Sequence, residues 1–314
     1  MDIHERRLLL KVAKLYYLEG WTQSEIAKKV NKSRPIISKF LKQAREEKIV
    51  EIYIKDETIH TVTLERLIEN KYGLKEVIVV SSAGDGPEMV MRKLGKAAAD
   101  YITKKLDQIK SLGISWGKSV HSVIEAIDFH EKSHIHVTPL IGGMGQNHVY
   151  YHSNHLTMQM AQKLNTSSSY LYAPAIVESV DLRNQIIKSK DISDVLNKGK
   201  SVDMAIVGIG SPSYNATMNE LGYVTEEEQA SLVEYGAIGD INSTFYNDDG
   251  IAVNHSLNDR TIGINLSELR DIPEVLAVVN GIHKVEGLDV ALRHNYLSTI
   301  VLDDITARAL TLIK

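Results

Sequence analysis

The chain has 314 residues, of which 43% are hydrophobic and 24% charged, and this size and balance predict a soluble protein with two domains. It contains no cysteine, which excludes disulfides, thiol catalysis and cysteine-based zinc sites and fits a cytoplasmic location. No apolar run approaches the roughly 20 residues of a membrane span, and the N-terminal MDIHERRLLL is too short and polar for a signal peptide, so no membrane association is expected.

Charge is divided unevenly along the chain. Residues 1–58 carry 13 basic and 9 acidic side chains, a net charge of +4, whereas the remainder has a net charge of −8. Residues 22–50 alone hold eight Lys or Arg against three Glu. A basic end on an acidic body is typical of a DNA-binding head joined to a domain with another task. The alternative is a solvated helical hairpin, because charge runs usually mark solvated faces.

Two helical patterns open the chain. Apolar residues in 8–16 repeat at helical spacing, and Gly20 is predicted to end this first helix. A second, shorter helix is predicted over 22–30. Thr22 followed three residues later by Glu25 has the spacing of a capping box, which marks the start of that helix.

A third helix is predicted after the polar break at 31–33, with Ser33 as its N-cap and Pro35 in its first turn. Its inward stripe is predicted to be Ile36, Ile37, Phe40 and Leu41. Two short helices around a tight turn form a helix-turn-helix, which places its second helix in the major groove of double-stranded DNA. The predicted contacts to operator DNA are Thr22, Gln23, Ser33, Arg34, Pro35, Ser38, Lys39, Lys42 and Arg45, the last two nearer phosphates.

The head is predicted to end in a wing and to be followed by a linking helix. Residues 49–54 alternate like a short strand that can touch the DNA backbone, and residues 57–73 form a helical pattern that stops at Gly73. The predicted domains are a winged helix-turn-helix head over 1–56, a linker helix over 57–74 and a C-terminal domain over 75–314.

From residue 75 onward, short apolar runs alternate with helical patterns. The runs are rich in β-branched residues and do not alternate with polar ones, as in parallel strands covered on both faces. Strands are predicted over 76–82, 111–115, 134–142, 170–177, 203–210, 261–265, 274–281 and 298–304. Helices are predicted over 86–105, 117–127, 154–164, 284–293 and 304–313. The fold class is therefore α/β: an all-α, winged helix-turn-helix head followed by a Rossmann-like, doubly wound, mostly parallel sheet.

Ligands bind such sheets beyond the carboxyl ends of the strands, so the polar junctions there are candidate site residues. The strand ending at Ser115 runs into Trp116, Gly117, Lys118 and Ser119. Free N–H groups, the dipole of the following helix and a lysine favour an anion at this junction. An ordinary turn between strand and helix is the alternative.

Four further junctions follow later strands. Gly142-Gly143 and the glycines of 208–212 permit close approach of backbone to a ligand, although a flexible connection explains the first equally well. Asp240 is expected to accept hydrogen bonds from sugar hydroxyls. His283-Lys284 ends a strand and opens a helix, and Lys284 can reach a phosphate. These junctions support one another only if their strands are neighbours in the sheet.

Three histidines in 148–155 leave two interpretations open. His148 and His152 have the i, i+4 spacing of helical zinc ligands, but the segment lacks HExxH and any nearby carboxylate. A mobile loop that covers a ligand is the other interpretation. We predict no metal site and no cofactor.

Taken together, these segments resemble the SorC/DeoR family of bacterial sugar-responsive transcription regulators over almost the whole chain. The resemblance is carried by LYYLEGWTQSEIAKKVNKSRPIISKFLKQAREEKIV (15–50), KYGLKEVIVV (71–80), GISWG (113–117), PLIGGMG (139–145), VGIGSP (207–212), GDINSTFYNDDG (239–250), NDRTIGI (258–264) and HNYLSTIVLDDITARALTLI (294–313). The order and spacing of these segments are specific, although no single motif is decisive.

The resemblance implies a winged helix-turn-helix head and an effector domain similar to sugar-phosphate isomerases. It implies a phosphorylated sugar or polyol as effector, and a homo-oligomer, either dimer or tetramer. The effector-binding positions that it implies are Ser115, Trp116, Gly117, Lys118, Ser119, Gly142, Gly143, Asp240, His283 and Lys284.

Two positions depart from the pattern of the family and its relatives. One member type has a lysine before the paired glycines that forms a Schiff base with its sugar, and Ile141 stands there in this chain. The isomerase relatives place catalytic Asp and His after a GxG turn, where this chain has Ser211-Pro212. The sequence therefore predicts a regulator of a carbohydrate-utilisation operon without catalytic residues. The alternative is an active sugar-phosphate isomerase that carries a DNA-binding head.

Overall fold

The computed structural model of the chain describes residues 3–47, 49–50, 59–143, 148–212, 218 and 224–313. It divides into two compact units, Met1–Ile59 and His60–Lys314. Residues 51–54 of the predicted wing lie outside the described residues, so the wing stays a prediction, as do the domain limits at 56 and 74.

The described part of the first unit contains three helices, α1 (Ile3–Tyr17), α2 (Gln23–Lys29) and α3 (Arg34–Glu46). The capping box of α2 is present. The Glu25 N–H donates to Thr22 Oγ1 at 3.3 Å, and the Thr22 N–H donates to Glu25 Oε2 at 2.8 Å. The helices enclose a small apolar core, formed by Val12, Leu15, Ile26, Ala27, Ile37 and Leu41.

Ser33 is the N-cap of α3, as predicted, although its side chain makes no capping hydrogen bond. The predicted inward stripe of α3 is wrong at Ile36. The buried face comprises Ile37, Leu41 and Ala44, spaced at i, i+4 and i+7, whereas Ile36 is 38% exposed. A residue adjacent in sequence lies about 100° away around a helix, so Ile36 falls outside the stripe that Ile37 begins.

The second unit is built on a parallel sheet. Among the described residues its strands are β1 (Glu76–Val80), β2 (Ser111–Ile114), β3 (His136–Pro139), β4 (Ser167–Ser168), β5 (Met204–Gly210), β6 (Gly239–Ile241), β7 (Thr244–Tyr246), β8 (Glu274–Val279) and β9 (Thr299–Asp303). The order is β1-β9-β8-β5-β2-β3-β4, and all of these neighbours are parallel.

Helices cover both faces of the sheet, which confirms the doubly wound α/β class. Among the described residues, the helices of this unit are α4 (Ile59–Tyr72), α5 (Pro87–Lys105), α6 (Lys118–Ala126), α7 (Ser153–Lys163), α8 (Val180–Ile186), α9 (Lys190–Lys200), α10 (Glu226–Glu234), α11 (Ser256–Arg260), α12 (Leu266–Arg270), α13 (Val285–Arg293) and α14 (Asp304–Leu312). Alternate residues of β5 enter opposite cores: Met204 and Ile206 pack with α5 and α6, whereas Ala205 and Val207 share the core of α13 and α14. No helix in the described part of the chain is long and apolar enough to cross a bilayer.

Two predicted strands are wrong, those at 170–177 and 261–265. Both segments are irregular, and single bridges join Gly143 to Pro174 and Ile176 to Thr261. Proline has no N–H to donate, so Pro174 interrupts any ladder through this segment. The strand beside β3 is instead the two-residue β4.

The hairpin of β6 and β7 has no counterpart among the predicted strands. Its turn residues, Asn242 and Ser243, have φ values of 52° and 60°. Two adjacent left-handed residues form the tight turn that matches the twist of an antiparallel pair, and asparagine tolerates this conformation well. Because β6 pairs with the end of β5, the hairpin carries Asp240 and Asn242 to the carboxyl edge of the sheet.

Candidate functional site

A cavity of about 500 Å³ lies at the carboxyl ends of the central strands. β8, β5 and β2 are neighbours in the sheet, so the segments that follow them meet at one edge, as the sequence argument requires. The lining residues are Pro87, Met91, Ser115, Trp116, Gly117, Lys118, Ser119, Gly208, Ile209, Gly210, Ser211, Met218, Asp240, Asn242, Asn280, His283 and Lys284.

The segment after β2 presents the N-terminus of α6 to this cavity. Gly117, with φ 111°, occupies the N-cap and has no side chain to cap the helix. The first helical hydrogen bond runs from the His121 N–H to the Gly117 carbonyl at 2.9 Å. The N–H groups of Lys118 and Ser119 therefore precede the bonded ladder and lie at the positive end of the helix dipole. With the exposed Lys118 side chain beside them, these groups favour an anion.

A buried hydrogen-bond network joins this segment to the hairpin. Ser115 Oγ donates to Asn242 Oδ1 at 2.8 Å, and Trp116 Nε1 donates to Ser243 Oγ at 2.9 Å. Asn242 Nδ2 donates to the carbonyls of Leu140 and Ile264, both at 3.0 Å. The network fixes the orientation of Ser115 and Trp116 in the cavity wall.

Opposite charges face each other in the cavity. Burial raises the pKa of Asp240 to about 6, against the attraction of Lys284 and a hydrogen bond from the Ser243 backbone, which lower it. Burial lowers the pKa of Lys284, Asp240 raises it, and repulsion from Lys118 lowers it further. Burial disfavours the charged form of both the Asp240 carboxylate and the Lys284 amine, and such perturbed groups in a cavity mark a candidate functional site.

The turn after β8 is anchored to α14. Asn280 Nδ2 donates to Asp303 Oδ2 at 3.1 Å, and the Gly281 N–H donates to Thr306 Oγ1 at 2.9 Å. A 3₁₀ turn (Ile282–Lys284) then leads into α13. Burial and the neighbouring Lys284 lower the pKa of His283, which favours its neutral form. Both His283 and Lys284 line the cavity.

Eight of the ten predicted effector-binding residues line this single cavity, and Gly142 and Gly143 do not. The Gly143 N–H donates to the Ala173 carbonyl at 2.8 Å, and a Cβ at Gly142 would lie 2.5 Å from the backbone of Pro174. These glycines permit close packing of two backbone segments. Asn242 was not among the predicted site residues. Its signal in the sequence is an Asn-Ser pair that follows Ile241 and precedes Thr244, Phe245 and Tyr246.

Gly210 packs against Asp240 so closely that an added methyl group is expected to disturb the site. An ideal Cβ on Gly210 would lie 1.8 Å from Asp240 Oδ1, whereas one on Gly208 would meet nothing nearer than the Trp116 carbonyl at 4.0 Å. We expect Gly210→Ala to destabilise the ligand-free protein by about 1–3 kcal/mol through overpacking. Thermal unfolding without ligand checks this, with Gly208→Ala as the matched control. Equal melting temperatures for the two variants would contradict it.

The three histidines of 148–155 have separate surroundings in the structure. His148 Nδ1 lies 2.8 Å from the Tyr150 hydroxyl, His152 is the buried N-cap of α7, and His155 lies within α7. The described residues contain no group of three metal-ligating side chains. The Gly117 N–H donates to the Tyr151 carbonyl at 2.9 Å, so this segment borders the cavity. Its role as a ligand cover stays a prediction.

The predicted DNA contacts lie on one exposed side of the head. Thr22 and Arg34 are exposed, and with Gln23 they line a shallow cavity of about 560 Å³ between the starts of α2 and α3. The remaining predicted contacts are exposed along α3, away from its buried Ile37 face, or at its N-cap: Ser33, Pro35, Ser38, Lys39, Lys42 and Arg45.

Comparison with known proteins identifies the family. The family model of a sugar-binding domain, Sugar-bind, matches residues 56–311. The sorbitol operon regulator of Klebsiella pneumoniae is 32% identical over 306 residues, 97% of each chain. The deoxyribonucleoside regulator of Bacillus subtilis is 30% identical over 310 residues, 99% of each chain.

Solved structures of transcription regulators also resemble this chain. The full-length sorbitol operon regulator SorC of K. pneumoniae superposes with a TM-score of 0.78 at 31% identity, covering 98% of this chain and 99% of that one. A DeoR family transcriptional regulator from Listeria monocytogenes reaches a TM-score of 0.76 at 39% identity, covering 80% of this chain and 99% of that one.

A helix-turn-helix head on an α/β domain with a polar cavity at its carboxyl edge defines a ligand-responsive DNA-binding protein. The chain belongs to the SorC/DeoR family of transcription regulators. It is a DNA-binding transcription regulator controlled by sugar binding.

Proposed function

We propose that the effector is a phosphorylated sugar or polyol, that it binds in the 500 Å³ cavity, and that it sets the affinity of the head for operator DNA. One observation carries the proposal: Lys118, Lys284 and the N-terminal N–H groups of α6 share this cavity with the buried carboxylate of Asp240. The cavity thus offers an anion site beside an acceptor for hydroxyls. The name of one relative, a sorbitol operon regulator, supports a carbohydrate-utilisation operon as the target.

The effector-binding residues of this proposal are Ser115, Trp116, Gly117, Lys118, Ser119, Asp240, His283 and Lys284. Gly142 and Gly143 then act indirectly, by allowing their own backbone to pack closely against residues 173–174. The phosphate lies at Lys118 and the N-terminus of α6, and the sugar hydroxyls lie toward Asp240. The effector must bind the two DNA-affinity states unequally, because a ligand with equal affinity for both shifts nothing.

For the head, we propose that Ser33, Arg34, Ser38 and Lys39 contact bases of double-stranded operator DNA. The other predicted positions, Thr22, Gln23, Pro35, Lys42 and Arg45, then support or contact the phosphate backbone. A small head gains affinity and reach when it is presented in pairs, which favours a dimer or tetramer of the chain in the cytoplasm.

We propose that the cavity binds its ligand without turnover. Gly210 is followed by Ser211 and Pro212, so a catalytic acid and base are missing from the position at which the isomerase relatives carry them. Incubation with aldose and ketose phosphates should leave them unchanged. Conversion of any of them would instead support the isomerase-like alternative.

A thermal-shift screen of phosphorylated sugars, polyols and their free forms tests the effector. A phosphorylated ligand at 100 times its dissociation constant should stabilise the protein by about 2.7 kcal/mol. Lys118→Ala should weaken phosphorylated ligands by about tenfold or more, since it removes a charged donor, and should leave free sugars unaffected. Lys104→Ala, an exposed lysine of α5, is the control. Stabilisation by free sugars but not by phosphorylated ones would contradict the proposal.

A further inference from the structure

The buried amide of Asn242 has only one orientation that satisfies its neighbours. Its Nδ2 lies 3.0 Å from both the Leu140 and the Ile264 carbonyl oxygens, which can only accept hydrogen bonds. The NH₂ group must therefore face these two carbonyls. Oδ1 then faces Ser115 Oγ, 2.8 Å away.

This orientation decides the role of the Ser115 hydroxyl. An amide oxygen cannot donate, so the single hydroxyl proton of Ser115 is committed to Asn242 Oδ1. What Ser115 has left for the cavity is acceptor lone pairs. If the hydroxyl turned its proton toward a ligand, Asn242 Oδ1 would lose its hydrogen-bond donor. Water could not readily replace that donor, because Asn242 is only 3% exposed.

The polar groups that line the cavity are either acceptors or donors. The carboxylate of Asp240 also accepts hydrogen bonds, and it lies on the same hairpin as Asn242. The charged amines of Lys118 and Lys284 and the first N–H groups of α6 can only donate, and Lys284 lies close enough to Asp240 to lower the pKa of that carboxyl. Trp116 adds an apolar wall, since its indole N–H is used by Ser243 at 2.9 Å.

We infer that Asn242 holds Ser115 as a hydrogen-bond acceptor, so that Ser115 selects a ligand hydroxyl and offers no donor to a phosphate. Asn242 is then a positioning residue and Ser115 a specificity-determining one. The inference rests on the proposed function and sharpens it: the effector carries a free hydroxyl, remote from its phosphate, that donates to Ser115. A phosphate dianion offers only acceptors, so it must lie at donor groups such as Lys118 and the first N–H groups of α6.

Calorimetric titration of the full-length protein at pH 8 tests this inference. The probes are inorganic phosphate, the tightest-binding phosphorylated sugar or polyol of the screen, and its singly deoxygenated and deoxyfluoro analogues. For one hydroxyl position, the wild-type protein should bind both analogues about tenfold more weakly than the parent, because Ser115 cannot donate to fluorine. In Ser115→Ala the parent and the deoxy analogue should bind within twofold of each other, and inorganic phosphate should bind as to the wild type.

The variant Asn242→Gly distinguishes the orienting effect of Asn242 on the Ser115 hydroxyl from a mere loss of stability. Glycine adopts the φ of 52° at this position readily, and the change frees the proton of Ser115. The deoxyfluoro analogue should then bind at least threefold more tightly than the deoxy analogue, a ratio that loss of stability alone does not alter. Thermal melting identifies any unfolded variant.

Three results would overturn the inference. They are a tenfold loss of inorganic phosphate binding in Ser115→Ala, a deoxygenation penalty that survives in that variant, and equal binding of the deoxy and deoxyfluoro analogues to Asn242→Gly. If no phosphorylated ligand binds the wild type, the proposed function fails instead. The same comparisons made with the free sugar that binds would then still decide the role of Ser115.

Discussion

Replacing Asp240 with asparagine is expected to stabilise the ligand-free protein at pH 8 and to weaken its response to the effector. Burial raises the pKa of this carboxyl from 3.8 to about 6, so the folded state binds its proton more tightly than the unfolded state does. The contribution of Asp240 to stability is therefore greatest below pH 4 and is lost as the pH rises through 6. Above that pH, keeping the carboxylate buried costs about 2–3 kcal/mol, which asparagine removes.

This cost already includes the attraction of Lys284, which lowers the pKa of Asp240. We therefore expect a gain of about 2–3 kcal/mol, or roughly 5–10 °C in melting temperature for a unit of this size. The difference should vanish at pH 4, where Asp240 is protonated in the wild type as well. Asp128→Asn, at an exposed aspartate, is the control and should leave the melting temperature unchanged at both pH 4 and pH 8. An equal shift at pH 4 and pH 8 would contradict this account of Asp240.

Ile37→Asp is expected to abolish DNA binding and to leave effector binding intact. Ile37 is fully buried in the core of the head. An unpaired carboxylate at this position costs several kcal/mol beyond the lost apolar burial. A unit of about 60 residues has little stability to lose, so we expect the head to unfold and its affinity for double-stranded DNA to fall at least 100-fold.

Leu18→Asp is the matched control, since it introduces the same charge at a side chain that is 78% exposed. Its DNA affinity should stay within about threefold of the wild type, as measured by fluorescence anisotropy. In both variants the thermal shift with the effector should persist. If Ile37→Asp binds DNA normally, the helix-turn-helix is not the DNA-binding element.

The sequence predicted those elements in which local chemistry and burial agree. The capping box at Thr22, the β-branched runs of β1, β5, β8 and β9, and the helices α5, α6, α7, α13 and α14 were visible in the sequence, and the neighbouring central strands brought eight predicted site residues together. Ile36 shows the limit of such patterns, because an isoleucine at the edge of an apolar stripe can face either the core or solvent.

Features that depend on contacts between distant parts of the chain could not be predicted from the sequence. The segment at 170–177 has the composition of a strand, yet Pro174 and its bridge to Gly143 keep it irregular. Asn242 became a site residue only because its hairpin pairs with β5 and places the amide between three distant partners, Ser115, Leu140 and Ile264. No local signal specifies these contacts, which lie 22, 102 and 127 residues away along the chain.

The most direct test of the account is a DNA-binding titration of the full-length protein at fixed salt, with and without effector. The DNA is the double-stranded segment upstream of the chain's own gene, and the ligand is the tightest-binding phosphorylated sugar or polyol of the screen. Coupling of 1–3 kcal/mol between two sites changes affinity by about 5- to 150-fold, so we expect a change of at least fivefold in the dissociation constant. An affinity that stays within twofold for every ligand that binds the cavity would contradict control of this regulator by its effector.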